Sequence, residues 1–88
     1  MIVDQGALQV VETLRRAGHR AYLAGGCVRD MLMGTRPKDW DIATDASPAQ
    51  VQQLFVRTLA IGERFGISVV ILDEGQYEVA RFRRDGPY

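Results

Sequence analysis

A chain of 88 residues, 47% of them apolar, can close one small core, but at this length the buried share of its surface is modest and the fold only marginally stable. Eleven basic side chains balance eleven acidic ones, which excludes the broad positive field of a self-sufficient nucleic-acid binder and leaves any RNA contact local or supplied elsewhere. A single cysteine, Cys27, rules out an internal disulfide, and a single histidine, His19, is too few for a zinc cluster; both fit a reducing cytosol.

Signals of helical and strand period alternate along the whole chain with no repeat, linker or low-complexity tract, an α/β pattern in a single unit spanning residues 1–88. Ala7, Val10, Val11, Leu14 and Ala17 recur at helical spacing, Glu12 can pair with Arg16, and Gly18 stands where a C-terminal cap belongs. Ala21 to Ala24 reads as a short buried strand running into Gly25-Gly26, and Val28 to Met33 resumes a helical pattern that Gly34 can stop. After a polar loop, Asp39 to Thr44 alternates charged with apolar residues as a half-exposed strand does. Ser47-Pro48-Ala49-Gln50 then carries a capping serine, a proline at the first helical position and a glutamine at the third, with Val51, Leu54 and Phe55 as the buried stripe. Ile67 to Leu72 and Tyr77 to Phe82 form two strand-like runs joined by Asp73 to Gln76, a hairpin.

Strand geometry sends alternate side chains to one face, so Asp39 and Asp41 point together while Trp40 and Ile42 face a core. Two parallel carboxylates repel each other unless a cation lies between them, and hard oxygen donors suit Mg²⁺ completed by water and phosphate oxygens. Taken alone, Asp-x-Asp is as readily a solvated strand edge, and Gly25-Gly26 an ordinary tight turn. Their proximity favours a joint reading: glycines between a strand and a helix let a phosphate approach the backbone, helix N–H groups point at it, and Arg29 adds a cation. Together they imply a metal–triphosphate complex. Glu78 is a third acid if Tyr77 to Phe82 is a strand in the right register; otherwise it is a surface carboxylate paired with an arginine.

The run Leu23 to Asp30, then Gly34, then Asp39 to Thr44, is similar to the signature of the bacterial CCA-adding enzymes and poly(A) polymerases. The likeness continues through Phe65-Gly66 and the strand Glu78 to Arg83, and so covers nearly the whole chain from Ala21 onward. The resemblance implies a nucleotidyltransferase palm like that of DNA polymerase beta, a mixed sheet with helices on one face. It further implies that Asp39 and Asp41 hold two Mg²⁺ ions, that one carboxylate helps deprotonate an RNA 3′-hydroxyl for in-line attack on the α-phosphate, and that Gly25 and Gly26 line the triphosphate with Arg29 assisting. The implied partners are CTP, ATP and the 3′ end of tRNA.

Family members continue past the point where Tyr88 ends this sequence, so the expectation is the N-terminal part of a head domain, truncated at its C-terminal end and inactive alone. A sheet edge or apolar face left uncovered would then invite self-association. Three other readings stay open: poly(A) addition, a stand-alone minimal nucleotidyltransferase, and a non-catalytic nucleotide-binding module. No apolar run approaches the roughly 20 residues that span a bilayer, and no secretory signal pattern is present, so the expectation is a cytoplasmic protein without a membrane partner.

Overall fold

The structure is a computed structural model that describes residues 4–24, 33–34, 40–60 and 66–82. Helix α1 spans Gln5–Arg16 and is capped by Asp4, whose carboxylate accepts the Ala7 N–H at 3.2 Å. Arg15 and Arg16 occupy its last turn, where the helix dipole favours cations. The chain leaves α1 through Gly18 at φ 91°, and the Gly18 and His19 N–H groups bond back to the Arg15 and Leu14 carbonyls, both at 3.0 Å. Ala7, Val10, Val11 and Leu14 form the buried stripe, whereas Ala17 is exposed because the helix has already ended. Glu12 and Arg16 pair at 3.7 Å in solvent, where such a contact contributes little.

Five strands follow among the described residues: β1 (Ala21–Ala24), β2 (Asp41–Thr44), β3 (Thr58–Ala60), β4 (Ile67–Leu72) and β5 (Gly75–Arg81). Helix α2 (Pro48–Leu54) lies between β2 and β3. The strands form one mixed sheet in the order β1-β2-β5-β4-β3, in which β2 and β5 are parallel and every other pairing is antiparallel. The β4–β5 connection is tighter than the sequence suggests. Ile71 pairs with Gln76 and Leu72 with Gly75, so only Asp73 and Glu74 turn the corner. Strand β3 is an addition to the sequence reading; its three residues are too few to display an alternation. Met33 and Gly34 form a turn, and the expected helix over Val28 to Met33 otherwise lies outside the described residues.

Both described helices pack on one face of the sheet. Ala21, Ile42, Thr44, Val70, Tyr77 and Val79 point into the core with the α1 stripe, Val51 and Phe55. The buried Thr44 hydroxyl is satisfied twice: it donates to the Arg20 carbonyl at 2.6 Å and accepts the Ala46 N–H at 3.2 Å. Asp45 accepts the Arg20 N–H at 2.9 Å, so the residues before β1 are tied to the end of β2. Across the core, the Tyr77 hydroxyl donates to the same Asp4 carboxylate oxygen that caps α1. Burial, then this bond, push the Tyr77 phenol above its ordinary pKa. Gly6 leaves the space that the ring fills.

The start of α2 is a capping box: Ser47 Oγ accepts the Gln50 N–H at 3.2 Å and Gln50 Oε1 accepts the Ser47 N–H at 2.9 Å. Ser47→Ala is expected to cost about 1 kcal/mol, seen as a lower urea midpoint at unchanged slope. No helix among the described residues is long and apolar enough to cross a membrane.

Candidate active site

The parallel pairing of β2 with β5 sets Asp41 directly opposite Glu78. Register partners on adjacent strands project to the same face, with the strands about 4.8 Å apart. Their neighbours decide which face that is. Ile42 and Val79 are each 1% exposed and point toward the helices, so Asp41 and Glu78 point to the opposite side of the sheet. The same row continues through Ala24 on β1, Val69 on β4 and Leu59 on β3. No described element covers this face.

An open pocket of about 460 Å³ lies over the row, lined by Trp40, Asp41, Val69, Gln76 and Glu78. Trp40 packs against the core, as the alternation implies, and also borders this pocket. The strand assigned to Asp39 to Thr44 begins, among the described residues, at Asp41.

Chemically, the pocket offers two carboxylates on neighbouring backbones, anchored by the buried residues beside them. Ionised carboxylates are acceptors only, and two of them side by side favour a cation between them. Hard oxygen donors in an open pocket, with room for water and phosphate oxygens, fit Mg²⁺. Glu78 is exposed and forms no ion pair with an arginine among the described residues.

Of the residues singled out in the sequence, Asp41 and Glu78 are brought together. Asp39, Gly25, Gly26 and Arg29 lie outside the described residues. The chain leaves β1 at Ala24, the register partner of Asp41, and Gly25 follows in sequence. Gln76 and Val69 escaped the sequence reading. Gln76 was accessible to it, because residues two apart on a strand share a face. Val69 requires the β4–β5 register, which the turn length alone fixes.

A mixed sheet backed by helices on one face, with paired acids on the other, has the architecture of a nucleotidyltransferase head. Residues 21–88 match the family described as the poly(A) polymerase head domain, and the chain belongs to that family. It is 46% identical over 81 residues to poly(A) polymerase I of Haemophilus influenzae, a match covering 91% of this chain and 18% of that protein. With the CCA-adding enzyme of Lactiplantibacillus plantarum it shares 48% identity over 85 residues, 96% of this chain and 21% of the relative. The crystal structure of the Bacillus stearothermophilus CCA-adding enzyme in complex with CTP aligns with a TM-score of 0.85 at 41% identity, over 93% of this chain and 21% of that one. This chain therefore spans about a fifth of the length of the relatives it matches.

Proposed function

We propose that this chain carries the metal and triphosphate site of a template-independent RNA nucleotidyltransferase that adds CMP and AMP to tRNA 3′ ends. The observation that carries the reading is the register pairing of Asp41 with Glu78 on the open face of the sheet. Membership of the head-domain family and the likeness to CCA-adding enzymes, one of them crystallised with CTP, support it. Poly(A) addition is the second reading, because a poly(A) polymerase matches as well as a CCA-adding enzyme does.

In this reading Asp41, Asp39 and Glu78 hold Mg²⁺, which when bound supplies charge stabilisation to the attacking and leaving oxygens of an in-line displacement. The backbone at Gly25 and Gly26 receives the triphosphate and Arg29 neutralises part of its charge. One carboxylate of the set accepts the proton of the RNA 3′-hydroxyl. What the fold contributes is placement: the ladder between β2 and β5 and the burial of Ile42 and Val79 fix the backbones that carry Asp41 and Glu78, which limits the reorganisation needed when charge develops.

Alone, these 88 residues are expected to transfer nucleotides very slowly. Catalysis of this kind is mostly positioning and charge stabilisation, and misplacement by about 1 Å already costs about a hundredfold. The test is a chimera in which this chain replaces the matching segment of the Lactiplantibacillus plantarum CCA-adding enzyme. It is given labelled CTP or ATP and tRNA lacking its CCA end. Mg²⁺-dependent addition is expected from the chimera and not from the isolated chain. Triphosphate binding without any transfer by the chimera would instead favour a non-catalytic nucleotide-binding module.

A further inference from the structure

Two residues along the sheet from the acidic row, on the same face, lies the row Tyr22, Ala43, Ala80 and Ile67. At roughly 3.3 Å per strand residue the two rows are about 6.6 Å apart. Tyr22 is 48% exposed, although it sits in a strand. Its ring lies 6.2 Å from that of Phe82 with 35° between the planes, a tilted pair that does not close as an edge-to-face contact. The Arg15 guanidinium is 5.6 Å from the Tyr22 ring centroid and is held there by a 3.0 Å bond from Nε to the Ala21 carbonyl. Only alanines stand between Tyr22 and Ile67 in that row, so among the described residues no bulky side chain of the row separates Tyr22 from the space above the sheet.

We propose that Tyr22 and Phe82, with Arg15 fixed over Tyr22, form a stacking platform for the terminal base of a single-stranded RNA end. The proposal rests on the transferase reading above and extends it to the acceptor. In-line displacement requires attacking and leaving groups on opposite sides of the phosphorus. The glycines assigned to the triphosphate follow Ala24, at the Asp41 end of β1, whereas Tyr22 lies at the other side of the acidic row. An acceptor base on Tyr22 therefore approaches the carboxylates from the side of the row opposite to that on which the chain leaves β1.

The chemistry also favours nucleic acid over an apolar peptide. A phosphate chain brought near Asp41 and Glu78 needs a compensating cation, and Arg15 supplies one on the aromatic side. An exposed tyrosine backed by a half-buried phenylalanine and faced by an arginine is a composition that stacks bases without reading their identity. One such platform has only modest affinity, which agrees with a chain whose net charge is zero.

The experiment is an NMR titration of the 88-residue chain with a short RNA ending in two cytidines, and separately with CTP and Mg²⁺. RNA is expected to shift the ring protons of Tyr22 and Phe82 and the methyls of Ala43 and Ala80, saturably. Tyr22→Leu, which keeps an apolar side chain on the sheet, should weaken RNA binding about fivefold or more, while Tyr22→Phe should leave it nearly intact. Well-dispersed spectra of both variants serve as the folding control. RNA that leaves these rings unshifted, or binds Tyr22→Leu equally well, overturns the proposal and leaves the face to a protein partner. CTP that shifts the rings as RNA does would also overturn it, since the base would then belong to the incoming nucleotide. Ring shifts with RNA combined with an inactive chimera would leave the platform standing and remove the transferase reading.

Discussion

Asp41→Asn is expected to lower Mg²⁺-dependent CMP or AMP addition by the chimera about a hundred- to a thousandfold, with the fold unchanged. The substitution keeps the shape of the side chain and removes its charge. A preorganised charge in an active site typically contributes this much to rate, and Asp41 is fixed opposite Glu78 by the ladder itself. Glu78→Gln should also lower the rate, and more at low Mg²⁺ than at saturation, because it removes one of the carboxylates assigned to the ion. The Glu78 change should not lower the melting temperature. Asp41 and Glu78 face the open side of the sheet, and relieving repulsion between neighbouring acids stabilises a metal-free protein if it does anything. Near-normal turnover by Asp41→Asn at saturating Mg²⁺ would remove the assignment.

Gly6→Ala should destabilise the chain by about 2 kcal/mol, although alanine is the better helix former by about 1 kcal/mol. The reason is the space above Gly6: an added methyl would overlap the Tyr77 hydroxyl and ring, coming within 2.7 Å of a ring carbon. Tyr77 cannot easily yield, being 2% exposed and bonded to the carboxylate that caps α1. The conflict is local, so a double-mutant cycle can test it. Gly6→Ala placed in a Tyr77→Leu background should cost far less than in the native chain, a coupling of about 1 kcal/mol or more by urea denaturation. Equal costs in both backgrounds would mean that the Tyr77 ring is not what excludes a side chain at position 6.

Local chemistry carried most of the fold into the sequence. The Ser47 to Gln50 box, the Gly18 cap and the alternation of β4 and β5 each follow from neighbours within a few residues. Contacts between distant residues were not legible in this way. Gly6 looked like any helix residue, because its reason for being glycine is a tyrosine 71 positions later. Glu78 was ambiguous on similar grounds: its face depends on pairing with β2, and a one-residue slip would turn it toward the helices. Val69 joined the pocket through the register between β4 and β5. Strand β3 could not be foreseen from three residues, and the Tyr22–Phe82 pair brings together the first strand and the residue after the last.

The pairing of Asp41 with Glu78 as a metal–triphosphate site can be measured without turnover. Mn²⁺ accepts the same oxygen donors as Mg²⁺ and broadens nearby NMR signals. Adding substoichiometric Mn²⁺ with CTP to the labelled chain should broaden Asp41, Glu78, Gln76 and Val69 first and α1 and α2, on the other face of the sheet, last, and Asp41→Asn should abolish the effect. Broadening that is diffuse over the surface, centred elsewhere, or undiminished in Asp41→Asn would contradict the assignment.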